Sequence, residues 1–114
     1  MEKWKPIEFN ELYDEVLKTE SELSGGLLIF WQLINIIPEK WKECEYGNEG
    51  DGFWVVAIFG KKVIWYNDIE EGFNISDYKD YGIINNYYSN QDELNWVVTR
   101  LFDLIKFGDN TKLP

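Results

Sequence analysis

Hydrophobic residues in the middle of the chain fall into two short runs that predict a β-hairpin. The runs Phe53–Phe59 and Lys62–Asn67 are rich in β-branched and aromatic residues and are separated by Gly60-Lys61. A glycine at the first position of a two-residue loop favours a type II′ turn. Apolar side chains occupy both faces of the two strands, so we expect other parts of the fold to cover the hairpin on both sides.

A two-residue loop also fixes which residues of the hairpin lie opposite each other, because the pairing then continues without interruption along both strands. Successive side chains alternate between the two faces of the sheet, so the register decides which side chains share a face. The predicted pairs are Ile58 with Val63, Ala57 with Ile64, Val56 with Trp65 and Trp54 with Asn67.

Before the hairpin, the pattern predicts two helices and a strand. An amphipathic stretch begins after Asn10, a candidate N-cap, and ends near Ser24. Residues 27–37 are apolar nearly all round, which predicts a buried helix whose last residues become extended before Pro38. Residues 41–46 alternate weakly and predict a strand, and the glycine-rich residues 47–52 predict a plain turn.

After the hairpin, the pattern predicts one more strand and one more helix. Residues 72–77 predict the strand, and residues 78–90 form a connection rich in tyrosine and asparagine. Asn90 as N-cap and Glu93 three residues later match a capping box, and an apolar stripe from Leu94 onward gives the last helix a core-facing side.

These elements predict a single α+β domain over residues 1–114. Its centre is an antiparallel sheet of three or four strands, with two N-terminal helices and one C-terminal helix packed on it. The chain has 6 Trp, 7 Tyr and 7 Phe, so large rings supply much of the buried area.

The charge of the chain limits its partners. It has 11 basic and 21 acidic residues, a formal net charge of −10. Nucleic acid and anionic membranes repel such a chain, so we expect neither as a partner and expect a basic protein instead. The sequence has no signal peptide or membrane-spanning run, which predicts a cytoplasmic protein.

Several kinds of chemistry are excluded by what the sequence lacks. Histidine is absent, which removes Ser-His and Cys-His nucleophile pairs and histidine-ligated metal sites. Cys44 is the only cysteine and lies between two glutamates, which favour the thiol over the reactive thiolate. We therefore predict no catalytic residue, no metal site and no cofactor.

Acidic residues are concentrated at the open end of the predicted hairpin. They lie in the segment before residue 53 and in the segment after residue 67. Aromatic rings are interleaved with these carboxylates, a combination that suits recognition of Lys and Arg side chains. The sequence therefore predicts an acidic rim at one end of the sheet that binds a protein partner. The predicted binding residues are Glu49, Asp51, Trp54, Asp68, Glu70, Glu71 and Phe73.

Two other functions are compatible with the same residues. A small-molecule or peptide-binding domain requires an aromatic-lined pocket between sheet and helix. A carboxylate hydrolase, which is less favoured, requires two acids facing each other across a cleft. Asp68 and Glu70 share a face if the strand continues past Asn67, whereas Glu70 and Glu71 point to opposite faces.

Three strings in the second half of the chain, GFWVVAIFG, WYNDIEEGFN and NQDEL, resemble a group of small bacterial proteins of unknown function. In size and acidity the chain is also similar to the immunity proteins encoded beside bacterial polymorphic toxins. That resemblance implies a cytosolic protein that binds and blocks a cognate toxin and has no chemistry of its own. We therefore expect a non-catalytic binding protein of the immunity or inhibitor type.

Overall fold

A computed structural model of the chain describes residues 5–46 and 52–108. Within these residues the four strands form one antiparallel sheet in the order β1-β2-β3-β4. The α+β class and the helices at both ends of the chain are confirmed, with four strands. The elements are α1 (Phe9–Glu22), α2 (Gly25–Ile34), β1 (Asn35–Trp41), β2 (Phe53–Phe59), β3 (Lys62–Asn67), β4 (Gly72–Asp77) and α3 (Leu94–Phe107).

The central hairpin has the strand bounds and the loop that the sequence predicts. Gly60 has a φ of +58°, whereas Lys61 has no positive φ, a pattern that fits a type II′ turn. Next to this loop Ile58 pairs with Val63, as predicted. The loop is also fastened to the following segment, since the Tyr78 N–H donates to the Lys61 carbonyl at 2.9 Å.

A β-bulge interrupts the hairpin between Val55 and Ala57, and the predicted register is wrong beyond it. Trp65 lies opposite Val55 and not opposite Val56, and Trp54 lies opposite Tyr66. The extra residue shifts the pairing by one, because two residues of β2 then oppose one position of β3. Val56 and Ala57 consequently both pack on the helix side of the sheet.

Each face of the sheet has its own core, which confirms that the hairpin is covered on both sides. On one face the three helices bury a helix-side core that includes Leu12, Trp31, Ile64 and Leu101. On the other face residues 78–87, which have no regular secondary structure, cover a loop-side core. The buried residues of this loop-side core are Trp41, Phe53, Val55, Val63, Trp65 and Ile84.

The first strand begins earlier than the sequence predicts. Of the strand predicted over residues 41–46, only Trp41 lies in a strand: β1 begins at Asn35, directly after α2, and ends at Trp41. The Asn35 side chain donates to the Trp31 carbonyl at 2.8 Å and so satisfies the end of the helix. The strand tolerates Pro38 because β1 is an edge strand, where a missing N–H breaks no pairing.

The caps predicted for α1 and α3 are also wrong by a few residues. Helix α1 begins at Phe9, and Glu8 with Glu11 forms a capping box where Asn10 was expected to cap. Helix α3 begins at Leu94, with Glu93 as its N-cap. Asn90 does not cap α3 because its N–H donates to the Asn74 side chain, and residues 90–92 thereby run along β4.

None of the helices in the described ranges, 5–46 and 52–108, is both long and apolar enough to cross a membrane.

Candidate functional site

Three of the predicted binding residues, Asp68, Glu70 and Glu71, lie in the turn between β3 and β4. The Asn67 side chain organises this turn: its Oδ1 accepts from the N–H groups of Ile69 at 3.0 Å and Glu70 at 3.2 Å. Glu71 has a φ of +60°, which turns the chain into β4. Glu71 is exposed and Glu70 is half-buried. Of the three acidic residues in this turn, only Glu71 is therefore exposed to solvent.

Asp68 faces inward and holds the segment that precedes α1. Only 8% of its surface is exposed, and its Oδ2 accepts from the Ile7 N–H at 2.9 Å. Burial raises the pKa of Asp68, while the hydrogen bond from Ile7 and the charge of Lys40 act in the opposite direction. Its other oxygen has no hydrogen-bond partner among the described residues. Asp68 thus contributes a structural anchor beside the turn.

The two predicted aromatic anchors differ in exposure. Phe73 is 4% exposed and packs against Tyr66 in the helix-side core. Trp54 is half-buried; its indole N–H donates to the Ile7 carbonyl at 3.2 Å, and Lys40 Nζ lies 5.0 Å from its ring centroid. Of the two rings, Trp54 is therefore the one with surface to offer to a partner.

Carboxylates from three separate parts of the chain meet around one cleft of about 370 Å³. Glu11 and Glu15 come from α1, Glu71 from the β3–β4 turn, and Asp92 and Glu93 from the residues before α3. No lysine or arginine of the described ranges lines it. We name this feature the acidic cleft. Its remaining lining residues are Ile7, Tyr66, Gly72, Phe73 and Gln91.

Tyr66 reports the negative potential of the acidic cleft. Its pKa is raised from 10.0 to about 12, first by burial and then by the charges of nearby carboxylates. The phenol keeps its proton well into the alkaline range and is available as a hydrogen-bond donor in the cleft. The carboxylates that raise the pKa are, in order of effect, Glu71, Asp68, Glu15 and Glu11.

The structure brings together only part of the predicted acidic rim. Glu71 and Phe73 line the acidic cleft, whereas Glu70 acts on the opposite face, where its charge raises the pKa of Tyr87. This agrees with the expectation that Glu70 and Glu71 point to opposite faces. Glu49 and Asp51 lie outside the described residues.

Four acidic residues of the cleft were missed by reasoning from the sequence. Glu11 and Glu15 are four residues apart on α1, a spacing that places two side chains on the same face of a helix. That spacing was a usable signal. Asp92 and Glu93 were interpreted as helix-capping residues, and only the tertiary structure shows them beside α1 and the turn.

Comparison with known proteins finds no relative: no protein-family model, no curated protein and no solved structure matches the chain. The described residues also contain no group of three or more Cys, Asp or Glu side chains that could hold a metal ion.

Proposed function

We propose that this protein is a non-catalytic binding protein of the immunity or inhibitor type, whose acidic cleft masks a basic surface of a protein partner. The observation that carries the proposal is the convergence of five carboxylates from three chain segments on one concave surface without a basic residue. Carboxylates that line one cleft without a basic residue give the cleft a negative potential, which attracts cations. Lys or Arg side chains of a partner supply those cations.

The net charge of the whole molecule also favours a basic protein as the partner. A net charge of −10 attracts a basic protein over a distance and accelerates its association, especially at low ionic strength. Close to the surface, the carboxylates pair with the partner's cations, and the Tyr66 hydroxyl and the exposed part of Trp54 add a hydrogen bond and a cation–π contact. Of the binding residues that the sequence predicts, Glu71 is the one that we place at the centre of this contact.

The resemblance to toxin-immunity proteins in size and acidity supports a specific version of the proposal. In it, the partner is a basic toxin, both proteins meet in the cytoplasm, and the acidic cleft covers cationic residues that the toxin needs for its own activity. Inhibition then requires binding alone.

A pair of charge-matched variants tests the proposal. The cleft variant combines Glu15→Lys, Glu71→Lys and Glu93→Lys, three exposed positions in the acidic cleft. We expect it to weaken binding about a hundredfold or more, because each substitution replaces an attraction by a repulsion. The partner is first captured from the source cells, or the protein encoded by the neighbouring reading frame is produced and used as the partner. The dissociation constant is then measured with purified proteins at several salt concentrations.

The control variant changes the net charge by the same amount elsewhere. It combines the substitutions Glu45→Lys, Asp80→Lys and Asp103→Lys, three exposed acids that do not line the acidic cleft. We expect it to slow association modestly and to leave the dissociation rate unchanged. If the two variants bind the partner equally well, the acidic cleft is not the binding surface.

A further inference from the structure

The outer edge of β4 is covered at both ends and open in the middle. The Phe73 N–H donates to the Asp92 carbonyl at 2.9 Å, and the Asn85 N–H donates to the Asp77 carbonyl at 3.1 Å. Alternate residues of an antiparallel strand direct their backbone groups to the same side, so the N–H and C=O of Ile75 also face outward. No described residue forms a hydrogen bond with either group.

These two backbone groups open into a second cleft, of about 330 Å³, between β4, residues 88–92 and α3. We name it the β4 cleft. Val97 and Leu104 of α3 give it an apolar wall opposite the strand. An unpaired donor and acceptor beside an apolar wall is the arrangement by which a sheet edge accepts an additional strand.

Charged groups stand at opposite ends of the β4 cleft. Asp92 lies at the Phe73 end, where its backbone pairs with the strand. Arg100 lies six residues after the start of α3 at Leu94, about 9 Å further along the helix axis. Helix α3 runs in the direction of β4, because Leu104 also lines a cavity with Lys61 at the hairpin loop. Arg100 has no ion pair or hydrogen bond among the described residues.

The other two charged residues of the β4 cleft, Lys62 and Asp77, neutralise each other. Lys62 Nζ lies 2.8 Å from Asp77 Oδ1, so these two residues form a closed ion pair at the far end of the strand. The charges that remain for a ligand are therefore one carboxylate, Asp92, and one guanidinium, Arg100. This order of charges selects a zwitterion whose ammonium and carboxylate are separated along the strand.

We propose that the β4 cleft binds a free tripeptide as a short strand parallel to β4. The peptide ammonium faces Asp92 and the peptide carboxylate faces Arg100. In the parallel arrangement the Ile75 N–H donates to the carbonyl of the first peptide residue, and the Ile75 C=O accepts from the N–H of the third. An extended tripeptide spans roughly 10 Å, which fits the roughly 13 Å from Phe73 to Asp77. The β4 cleft shares Phe73 and Asp92 with the acidic cleft, but this proposal does not rest on the function proposed for the acidic cleft.

Titration of the isotope-labelled full chain with trialanine, followed by NMR, tests the proposal. We expect saturable shifts centred on the Ile75 amide and slower hydrogen exchange of its N–H, because a new hydrogen bond protects it. Arg100→Gln is expected to weaken binding roughly tenfold or more, since it removes a charge-assisted contact. Lys106→Gln removes a positive charge from the same helix outside the β4 cleft, and it is expected to leave the affinity unchanged.

A second peptide tests the other end of the β4 cleft. N-acetyl-trialanine has no ammonium group, so we expect it to bind roughly tenfold more weakly than trialanine, and we expect Asp92→Asn to remove that difference. Equal affinity of the native chain for the two peptides overturns the proposal, because the site then recognises only the C-terminus of a peptide. The proposal is also overturned by shifts that centre on another surface, by equal effects of Arg100→Gln and Lys106→Gln, or by no saturable shift up to about 20 mM peptide.

Discussion

The two cores of this protein are each built around a fully buried tryptophan, but the two indoles are held differently. Trp65, in the loop-side core, donates its N–H to the Ser76 hydroxyl at 2.8 Å, and that hydroxyl donates onward to the Asn86 carbonyl at 2.6 Å. Trp31, in the helix-side core, is equally buried, and its N–H has no partner among the described residues. One ring is fixed by hydrogen bonds and the other by packing alone.

The difference shows what a loop needs in order to cover a sheet. Helices satisfy their own backbone, so the helix-side core can be almost purely apolar. Residues 85–90 have no regular secondary structure, and strand side chains satisfy their backbone instead. Asn67, Asn74 and Ser76 each bond to a carbonyl of this segment. The buried polar residues of β3 and β4 are therefore the reason that an irregular segment can close the second core.

The largest expected effect comes from a matched pair of substitutions at the two tryptophans. Trp65→Phe is expected to cost about 3 kcal/mol of unfolding free energy, because it leaves a cavity and breaks the link to Ser76. Trp31→Phe is expected to cost about 1 kcal/mol or less, since the loss of packing is offset by removal of an unpaired donor. Urea denaturation of both variants measures the difference, and equal costs contradict the comparison.

An asparagine tests whether hydrogen bonds hold the covering segment. Asn67→Ala removes the contacts to Tyr87 Oη and the Tyr88 carbonyl, both 2.9 Å long, and those to the β3–β4 turn. We expect a loss of about 2–4 kcal/mol and faster hydrogen exchange over residues 84–90. Asn10→Ala, at an exposed position of α1, is the control and is expected to change stability by less than about 0.5 kcal/mol. Equal exchange rates in the two variants contradict the assigned role of Asn67.

The smallest expected effect is a change in tyrosine pKa that distinguishes the two faces of the sheet. Burial raises the pKa of both Tyr66 and Tyr87, but the next neighbouring acid is Glu71 for the first and Glu70 for the second. Glu71→Gln is therefore expected to lower the pKa of Tyr66 from about 12 towards 10.0 and to leave Tyr87 unchanged. Glu70→Gln is expected to do the reverse. NMR titration of the two ring Cζ signals checks this, and a substitution that moves both tyrosines equally contradicts it.

The same pKa shift predicts how stability depends on pH. The folded state holds the Tyr66 proton more tightly than the unfolded state, so unfolding releases that proton between pH 10.0 and about 12. The contribution of Tyr66 to stability is complete below pH 10.0 and is lost as the pH rises through this range. Tyr66→Phe is expected to remove this part of the alkaline loss, measured as the difference between the two pH profiles.

Local pattern was sufficient to predict the hairpin and β4, because alternation, β-branched residues and a glycine loop all act within a few residues. It was not sufficient to predict the bulge at Val56, since both registers bury apolar side chains on two faces and only packing against the helices selects one. The extension before Pro38 was predicted, but the strand itself was predicted at residues 41–46, because the helical and extended stretches adjoin at Asn35 without a loop between them.

The candidate site was predictable to a smaller degree than the fold. The acidic turn was evident from Asp68, Glu70 and Glu71, but their three different orientations depend on the hydrogen bonds of Asn67 and Ile7. The acidic cleft joins acidic residues that are up to 82 positions apart, Glu11 to Glu93. Such convergence depends on how the helices dock, which short-range patterns do not encode.

The hydrogen bonds of Asp68 and Trp54 with the backbone of Ile7 have a practical consequence for work with the protein. Ile7 also lines the acidic cleft, so a segment fused a few residues ahead of it is tethered within reach of that cleft. A cationic purification handle on that side is poised to fold back and compete with an incoming partner. Placing the handle at the opposite terminus avoids this competition, and comparing the two placements shows how strongly the cleft attracts a tethered cation.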